Sequence, residues 1–329
     1  MRYLGQLLFV LLFSAAGAAA QPLYQLHDTG ALWRFTGVPC SGSTCPGWQR
    51  LDNNPSTREV AAAGGQVYQR HVDGRIWRYT GTPCSGSSCP GWQRIDNNPK
   101  TIALAAGGSS LYQLHNDGRI WRYTGTPCSG DNCPGWQQLD NNPKTRGIVA
   151  SGADLYQLHT DGRVWRFTGA ACSGTSCPGW QMLDNNSATV SIAASGGQLY
   201  QRHSNGKVWR FTGTACSGVS CPGWQQLDNN TKTISITAAG GRLYQLHNDG
   251  LIWRWTGTAC SGTSCPGWQR IDNNPRTKQL AAPPDFLFQR HDNGSIWQFT
   301  LTPCTGDSCP GWRQIDNNPR TRTIVAGGD

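Results

Sequence analysis

The sequence is poor in several features that would point to particular classes of protein. Only 2 of the 329 residues are methionine, glutamate occurs once, at Glu59, and charged residues make up 14% of the chain. No basic run is present although the formal net charge is +9, so a nucleic-acid-binding segment is not indicated. No segment has helical periodicity over a useful length, and beyond the N-terminus none is apolar enough to anchor the chain in a membrane.

A constant spacing organises almost the whole chain. Residues 111–142, LYQLHNDGRIWRYTGTPCSGDNCPGWQQLDNN, have close copies at intervals of 44 residues. Such a period is typical of small supersecondary units that bury their faces only when neighbours stack on them. The seven histidines of the chain show the spacing: His27, His71, His115, His159, His203, His247 and His291.

The N-terminus lies outside these repeats. Arg2 provides a charged end, residues 4–13 form an apolar run too short to span a bilayer, and Ala18, Ala19 and Ala20 form a small-residue cleavage site. We therefore predict a secretory signal peptide at residues 1–20, the alternative being an N-terminal membrane helix. Residues 21–329 are predicted to form one domain of seven repeats.

The cysteines form one C-x4-C pair per repeat. On a chain with a leader, this pattern favours seven local disulfides. Zinc would require two such pairs, or a pair and histidines, to converge on one ion, so no metal is expected. The predicted pairs are Cys40 with Cys45, Cys84 with Cys89, Cys128 with Cys133, Cys172 with Cys177, Cys216 with Cys221, Cys260 with Cys265 and Cys304 with Cys309.

Each repeat reads as four strands. In the third copy these are residues 102–106, 111–115, 119–124 and 136–140, with Gly107-Gly108 and Asp117-Gly118 as hairpin turns and the cysteine loop between the last two strands. Repeated four-stranded antiparallel meanders are typical of β-propeller blades. The sequence therefore predicts an all-β, seven-bladed β-propeller.

The two ends of the repeat array complement each other. Residues 321–326 form an inner strand with no successor, and the first copy, starting at Leu23, has no inner strand before it. We expect the C-terminal strand to pair with the N-terminal blade and close the ring. The Gly-Gly turns and disulfide loops would then lie on one rim, and the Asp-Gly hairpins and the Asp-Asn-Asn linkers on the other.

Those linkers are the candidate binding residues. Repeated carboxylates and carboxamides beside aromatic strands suit sugar hydroxyls, although the same residues also cap turns. The triplets are Asp52, Asn53 and Asn54; Asp96, Asn97 and Asn98; Asp140, Asn141 and Asn142; Asp184, Asn185 and Asn186; Asp228, Asn229 and Asn230; Asp272, Asn273 and Asn274; and Asp316, Asn317 and Asn318. His71, His115, His159, His203 and His247 are further candidates, with a structural role at the hairpin, donating a hydrogen bond to a turn carboxylate, as the alternative.

Two tryptophan series and one arginine series also repeat. The x-W-R tryptophans, such as Trp121, are expected in the core, and the arginines that follow them, such as Arg122, are expected to bridge blades. The second series, such as Trp136, is expected to cover the sheet edge, or else to stack on a sugar ring. The segment 281–288, AAPPDFLF, departs from the pattern and either distorts its blade or adapts it to a partner.

The Gly-Gly hairpins, DG turns, x-W-R strand and closing GWxx-Ile/Leu strand resemble secreted lectin propellers of the tachylectin and tectonin kind. That resemblance implies sugar binding at equivalent sites between blades without catalysis, here at the Asp-Asn-Asn triplets. The C-x4-C loop is a departure from the members of these families.

The expected function is therefore that of a secreted, multivalent carbohydrate-binding protein. Its partners would be glycans or glycoconjugates on cell surfaces or polysaccharide, with no cofactor, nucleic acid or membrane insertion. A propeller scaffold or adhesin that binds a protein is the first alternative. An enzyme acting on polysaccharide is the second, although no repeat carries a catalytic set that the others lack.

Overall fold

The computed structural model describes residues 23–328, which form seven four-stranded antiparallel sheets arranged as a β-propeller. The predicted signal peptide, residues 1–20, lies outside the described residues. Within residues 23–328 there is no helix with the length and apolar character needed to cross a membrane. The predicted all-β, seven-bladed architecture is confirmed.

The strands follow one another blade by blade. Blade 1 contains β1 (Leu23–His27), β2 (Leu32–Phe35) and β3 (Trp48–Asp52); blade 2 contains β4 (Thr57–Ala63), β5 (Gln66–His71), β6 (Ile76–Tyr79) and β7 (Trp92–Asp96). Blade 3 contains β8 (Thr101–Gly107), β9 (Ser110–His115), β10 (Ile120–Tyr123) and β11 (Trp136–Asp140); blade 4 contains β12 (Thr145–Ser151), β13 (Asp154–His159), β14 (Val164–Phe167) and β15 (Trp180–Asp184). Blade 5 contains β16 (Thr189–Ser195), β17 (Gln198–His203), β18 (Val208–Phe211) and β19 (Trp224–Asp228); blade 6 contains β20 (Thr233–Ala239), β21 (Arg242–His247), β22 (Ile252–Trp255) and β23 (Trp268–Asp272). Blade 7 contains β24 (Thr277–Ala281), β25 (Phe288–His291), β26 (Ile296–Phe299) and β27 (Trp312–Asp316), and β28 (Thr321–Ala326) follows it.

The ring closes as predicted. Strand β28 pairs antiparallel with β1, with Leu23 opposite Ala326 and Gln25 opposite Ile324, so the first blade is built from both ends of the chain. Beyond β28, the backbone N–H of Gly328 donates to the carbonyl of Ala62 in blade 2 at 2.9 Å. The C-terminal strand therefore joins the first blade to the last one along the chain.

An alanine recurs at one position of each repeat where the blades converge on the central axis. One alanine from each blade lines a narrow central channel with a volume of about 310 Å³. Larger side chains at these positions would collide around the axis, which explains the alanine at this position of each repeat. The seven alanines are Ala62, Ala106, Ala150, Ala194, Ala238, Ala282 and Ala326.

The apolar core lies between adjacent blades. Leu114, Ile120 and Leu139 of blade 3 pack with Leu155 of blade 4, and each is at most 1% exposed. Burying one such side chain contributes about 1.5–3 kcal/mol. Because these contacts cross from sheet to sheet, a single blade could not bury its own faces.

The disulfide loops cross between blades, which corrects the predicted division of the rims. All seven predicted disulfides are present. Each loop begins after the third strand of its own blade, near the Gly-Gly turn, and then runs along the outer strand of the preceding blade. In blade 4, for example, the backbone N–H of Cys172 donates to the carbonyl of Gln138 in blade 3 at 3.1 Å. The tip of this loop reaches the linker, because Asn141 Nδ2 donates to Thr175 O at 2.8 Å. Disulfide loops and linkers therefore meet at the same rim.

Five arginines of the x-W-R strands hydrogen-bond to a glutamine of their own blade, which differs from the predicted bridge between blades. A contact between blades is made by Arg210, which lies over the Trp255 ring of the next blade at 5.0 Å. Arg122 donates to Gln137 Oε1 of the neighbouring strand of its own blade at 2.6 Å. In blade 7 the two residue types are exchanged, and Arg313 donates to Gln298 at 2.6 Å. The second tryptophan series also connects the blades, since Trp180 Nε1 donates to Leu139 O of the preceding blade at 2.9 Å.

Blade 7 differs from the others where its sequence departs from the repeat. Strands β24 and β25 are shortened to five and four residues, because Pro283 and Pro284 interrupt the inner hairpin. Phe286 packs into the core between blades 7 and 1, and Arg242 of blade 6 donates to Pro284 O at 3.1 Å. The segment therefore distorts its blade while keeping it packed.

Candidate functional site

Pockets lie between the linker of one blade and the blade that follows it. We call each of them a linker pocket and describe the one between blades 3 and 4, where the volume is about 560 Å³. Equivalent pockets between blades 2 and 3 and between blades 5 and 6 measure about 530 and 360 Å³. The pocket between blades 3 and 4 is lined by Asp140, Asn141, Asn142, Pro143, Gln157, His159, Trp165, Cys177, Pro178 and Trp180.

The Asp-Gly hairpin of blade 3 packs against the linker that lines the pocket. Gly118 has a φ of 81°, and a Cβ on it would overlap the carbonyl oxygen of Asn142, so only glycine lets the Asp-Gly hairpin rest against the linker. Asn142 Oδ1 accepts the backbone N–H of Lys144 at 3.0 Å, which is an Asx turn. These backbone contacts place the linker where it faces the next blade.

A buried polar chain orients the carboxylate. Thr145 Oγ1 donates to Gln157 Oε1 at 2.6 Å, and Gln157 in turn provides a side-chain hydrogen bond to Asp140. Burial raises the pKa of Asp140, and hydrogen bonds from the backbone of Asn141 and from Gln157 oppose that rise. The Thr–Gln bond is present in all seven copies at 2.5–2.9 Å.

Three polar atoms of this pocket have no hydrogen-bond partner among the described residues. They are Asp140 Oδ2, His159 Nε2 and Trp165 Nε1, and each atom is buried. His159 is 2% exposed and Asp140 is 5% exposed. Because buried polar groups in proteins almost always have partners, a cluster of unpaired ones in a pocket indicates a place prepared for polar ligand groups.

The histidine and the first-series tryptophan form a stacked pair. The ring centroids of His159 and Trp165 are 5.7 Å apart with an interplanar angle of 29°. Burial lowers the pKa of His159, which keeps the imidazole neutral at neutral pH. The pair therefore offers a fixed indole N–H and an uncharged ring nitrogen rather than a cation.

Parts of this arrangement recur around the ring. Among the described residues the Oδ2 atom is unpartnered in Asp96, Asp140, Asp228 and Asp272, whereas in the other three copies it accepts a hydrogen bond from the threonine at 3.3–3.4 Å. The Nε2 atom of the repeated histidine is buried and unpartnered in all seven copies, and the Nε1 atom of the first-series tryptophan in six. In blade 7, Trp297 Nε1 donates to Ser295 Oγ at 3.2 Å. Ser295 is itself 5% exposed, so the seventh pocket carries an internal partner for its indole.

The three residues of each Asp-Asn-Asn triplet, all predicted to bind the ligand, make different contacts. The carboxylate lies inside the pocket, whereas the first asparagine ties the linker to the disulfide loop and the second caps the turn. The Nδ2 bond of the first asparagine spans 2.8–2.9 Å in all seven copies. The predicted turn-capping role is therefore present in the same residues that line the pocket.

Sequence reasoning missed Gln157, Trp165 and Pro178 as lining residues. Trp165 was predicted to be a core residue, but it lies at the pocket with its indole N–H unsatisfied. The signal was available in part, because a glutamine precedes each histidine by two residues and therefore points to the same face of the strand. The predicted hydrogen bond from the histidine to a turn carboxylate is not among the contacts of the described residues; Asp161 accepts instead from Arg163 and Lys144.

Within residues 23–328, no group of three or more histidine, cysteine, aspartate or glutamate side chains is arranged to hold a metal ion. The residues that line the linker pocket offer hydrogen-bonding groups and aromatic surfaces.

No family model and no curated protein matches the chain. Similarity is found only to solved structures, at low sequence identity. Human WBSCR16 is 12% identical with a TM-score of 0.58, and the match covers 94% of this chain and 97% of that one. Prp20p from Saccharomyces cerevisiae is 12% identical with a TM-score of 0.53, covering 77% and 75%. Yeast RCC1 (Prp20) bound to Kap60 is 11% identical with a TM-score of 0.56, covering 81% and 77%.

These similarities show the fold. The predicted propeller is confirmed, and the more specific resemblance to lectin propellers has no support from these structures, two of which are RCC1-type propellers. The seven disulfides are consistent with an extracellular protein.

Proposed function

We propose that the protein is a secreted, non-catalytic binding protein that recognises glycans through its linker pockets. The observation that carries this proposal is the set of buried, unpartnered Asp, His and Trp atoms that recurs in three linker pockets of about 360–560 Å³, between blades 2 and 3, 3 and 4, and 5 and 6. A pocket of this size accommodates one or two sugar rings. The signal peptide and export remain predictions from the sequence.

The pocket chemistry matches a sugar. A hydroxyl group donates one hydrogen bond and accepts two, so it can satisfy an acceptor such as Asp140 Oδ2 and a donor such as Trp165 Nε1 together. Trp180 provides an aromatic surface at the same pocket, with its Nε1 already engaged by Leu139 O at 2.9 Å. Its ring is therefore held in one orientation.

Repetition around the ring suits a repetitive ligand. Several weak sites on one rigid body make later contacts intramolecular, so binding to a multivalent surface exceeds binding to a free monosaccharide. Within residues 23–328, the large apolar side chains that are exposed lie in six different blades, namely Val38, Val72, Ile102, Val219, Ile234 and Leu301. They do not form the single apolar patch expected of one protein-docking face.

The test combines a glycan array with a count of sites. The oxidised protein is screened on the array, and the best monovalent fragment is titrated by calorimetry against wild type and Trp165→Phe. We expect the variant, which keeps an aromatic ring but loses the indole N–H, to bind one fragment fewer. Trp255→Phe is the matched control, because phenylalanine stands at this position in four other blades and the residue lies outside the linker pockets. An array without any binder would refute glycan recognition.

A second candidate is binding of a protein partner. Prp20p, which shares the propeller fold, is described with binding properties to Gsp1p and histones, and yeast RCC1 (Prp20) is described bound to Kap60. Blade 7, with its altered inner hairpin, is the asymmetric part of this ring. Saturable binding of a defined protein that is lost on replacing residues 282–287 by the matching segment of blade 6, with all linker pockets intact, would favour this candidate.

A further inference from the structure

A second kind of cleft opens on the opposite rim of the ring, beside the Gly-Gly turns. It lies between blades 1 and 2 and has a volume of about 470 Å³. It shares no lining residue with the linker pockets described above. Its lining residues include Tyr24 and Arg34 of blade 1 and Arg78 and Tyr79 of blade 2.

The cleft is cationic. Arg34 and Arg78 come from adjacent blades, and no aspartate or glutamate is among the lining residues. Neither arginine belongs to a salt bridge among the described residues. Each guanidinium donates one hydrogen bond to a glutamine of its own blade, Arg34 to Gln49 at 2.6 Å and Arg78 to Gln93 at 2.8 Å. The other N–H groups of each guanidinium remain available to a ligand.

A phenol adds an unpaired donor. Tyr79 Oη is buried and has no hydrogen-bond partner among the described residues. Tyr24, from the other blade, is 2% exposed. Burial raises the pKa of Tyr24 to about 12, while the nearby Arg34 lowers it, so the hydroxyl keeps its proton.

The sequence restricts this arrangement to part of the ring. The position of Tyr79 is tyrosine again only at Tyr123, whose Oη is also buried and unpartnered; elsewhere it is phenylalanine or tryptophan. Tyr123 lies close enough to Tyr68 and Arg78 to act electrostatically on them, as Tyr79 does on Tyr24. The two clefts that carry an extra phenol are therefore those flanking blade 2.

We propose that the cleft between blades 1 and 2, together with its counterpart between blades 2 and 3, binds a tetrahedral oxyanion, a sulfate or phosphate group. Arginine forks match the oxygens of such groups, and protonated phenols add neutral donors to them. The absence of acidic lining residues removes the repulsion that an anion would otherwise meet. The proposal does not depend on glycan binding at the linker pockets.

The test is calorimetric titration with sodium sulfate and sodium phosphate at constant ionic strength, with chloride as the blank. We expect saturable binding to wild type and roughly tenfold weaker binding to the double variant Tyr79→Phe/Tyr123→Phe, because each site loses a hydrogen bond to a charged group. Phenylalanine is native at this position in blades 1, 4, 5 and 7, so the fold should be retained. Tyr200→Phe, in a cleft without the extra phenol, is the matched control and should bind as wild type.

A second variant moves the guanidinium from position 34 to position 49 of blade 1 and so keeps the net charge. Exchanging Arg34→Gln with Gln49→Arg copies the arrangement of Gln298 and Arg313 in blade 7, which keeps its 2.6 Å hydrogen bond. We expect this exchange to weaken binding at the cleft between blades 1 and 2. Equal sulfate affinity in wild type and both variants, or no saturable binding to wild type, would overturn the proposal.

The source of the group is resolved by comparing inorganic sulfate with a sulfated monosaccharide. Tighter binding of the ester indicates a sulfated glycan, and equal binding indicates the free anion; both support the site. Trp165→Phe should leave sulfate binding unchanged, and Tyr79→Phe/Tyr123→Phe should leave glycan binding unchanged. Failure of one proposal can thus be told apart from failure of the other.

Discussion

At the scale of single residues, the repeated histidine makes the stability of the ring dependent on pH. Burial lowers the pKa of all seven histidines from the ordinary value of 6.5. As the pH falls to about 6.5, the histidines of the unfolded chain therefore bind protons, whereas the buried histidines of the folded chain remain neutral. Stability is full above pH 6.5 and falls as the pH drops below that value toward the folded-state pKa.

The buried aspartates act in the opposite direction and at lower pH. Burial raises the pKa of Asp140 above its ordinary value of 3.8, so this group favours the folded state only as the pH approaches that range. The histidine effect, which begins near pH 6.5, is measured from pH 7.5 to 5.5 by following the thermal midpoint of wild type and His203→Gln. We expect a progressive decrease, with a smaller slope in His203→Gln. A midpoint independent of pH over this range would contradict the burial of neutral imidazoles.

Ser295 decides whether the seventh linker pocket is available. Its hydroxyl oxygen accepts a hydrogen bond from the indole N–H of Trp297 at 3.2 Å. Blade 1 has Ala31 at the same position, and Trp33 Nε1 has no partner among the described residues. We predict six sites in wild type, one for each first-series tryptophan with an unpartnered indole N–H, and a seventh in Ser295→Ala. Calorimetric stoichiometry with a monovalent fragment measures the difference. An unchanged number of sites would show that Ser295 does not block the pocket.

At the scale of elements, the disulfide loop is both a staple and a wall of the pocket. The loop of six residues should contribute about 2 kcal/mol on the chain-entropy model. It also carries Cys177 and Pro178, which line the linker pocket, and its tip carbonyl at Thr175 accepts the hydrogen bond from Asn141.

We therefore expect Cys172→Ser/Cys177→Ser to lose about 2 kcal/mol of unfolding free energy and to weaken fragment binding at that one pocket. Urea unfolding measures the first effect and calorimetry the second. Cys304→Ser/Cys309→Ser provides the comparison, since it should cost similar stability but leave fragment binding unchanged, because Ser295 already accepts the hydrogen bond of the indole N–H in the pocket between blades 6 and 7. A loss of stability with all sites unaltered would show that the disulfide does not support the pocket.

At the scale of the whole molecule, ring closure depends on the pairing of β28 with β1. Deleting residues 320–329 leaves the buried face of blade 1 and the apolar side chains of blade 7, such as Ile315, without their neighbours. We expect this truncation to abolish cooperative unfolding, followed by circular dichroism and calorimetry.

The control for that truncation is a circular permutant. Joining residue 329 to residue 23 by a short Gly-rich linker, with new ends in an exposed disulfide loop, keeps every strand pair and converts the closure into an ordinary inner hairpin. The permutant should unfold cooperatively at a temperature close to that of wild type. Cooperative unfolding of the truncated chain would contradict the role assigned to β28.

The sequence by itself determined the number of blades, their four strands, the seven disulfides and the closing strand. These features depend on local periods and on spacing along the chain: alternation within strands, glycine turns and a step of 44 residues. The inner and outer strands, such as β28 and β11, were predicted with the bounds they have or within one residue.

Only the tertiary structure decided which side chains meet across the seams between blades. The crossing of the disulfide loop to the preceding blade, the exposure of Trp165 to a pocket, and the pairing of Arg122 with Gln137 all depend on the twist and packing of neighbouring sheets. The linker pocket and the cationic cleft are each built from two blades. Residues about 20 to 60 positions apart form them, and no local pattern records how two sheets pack against each other.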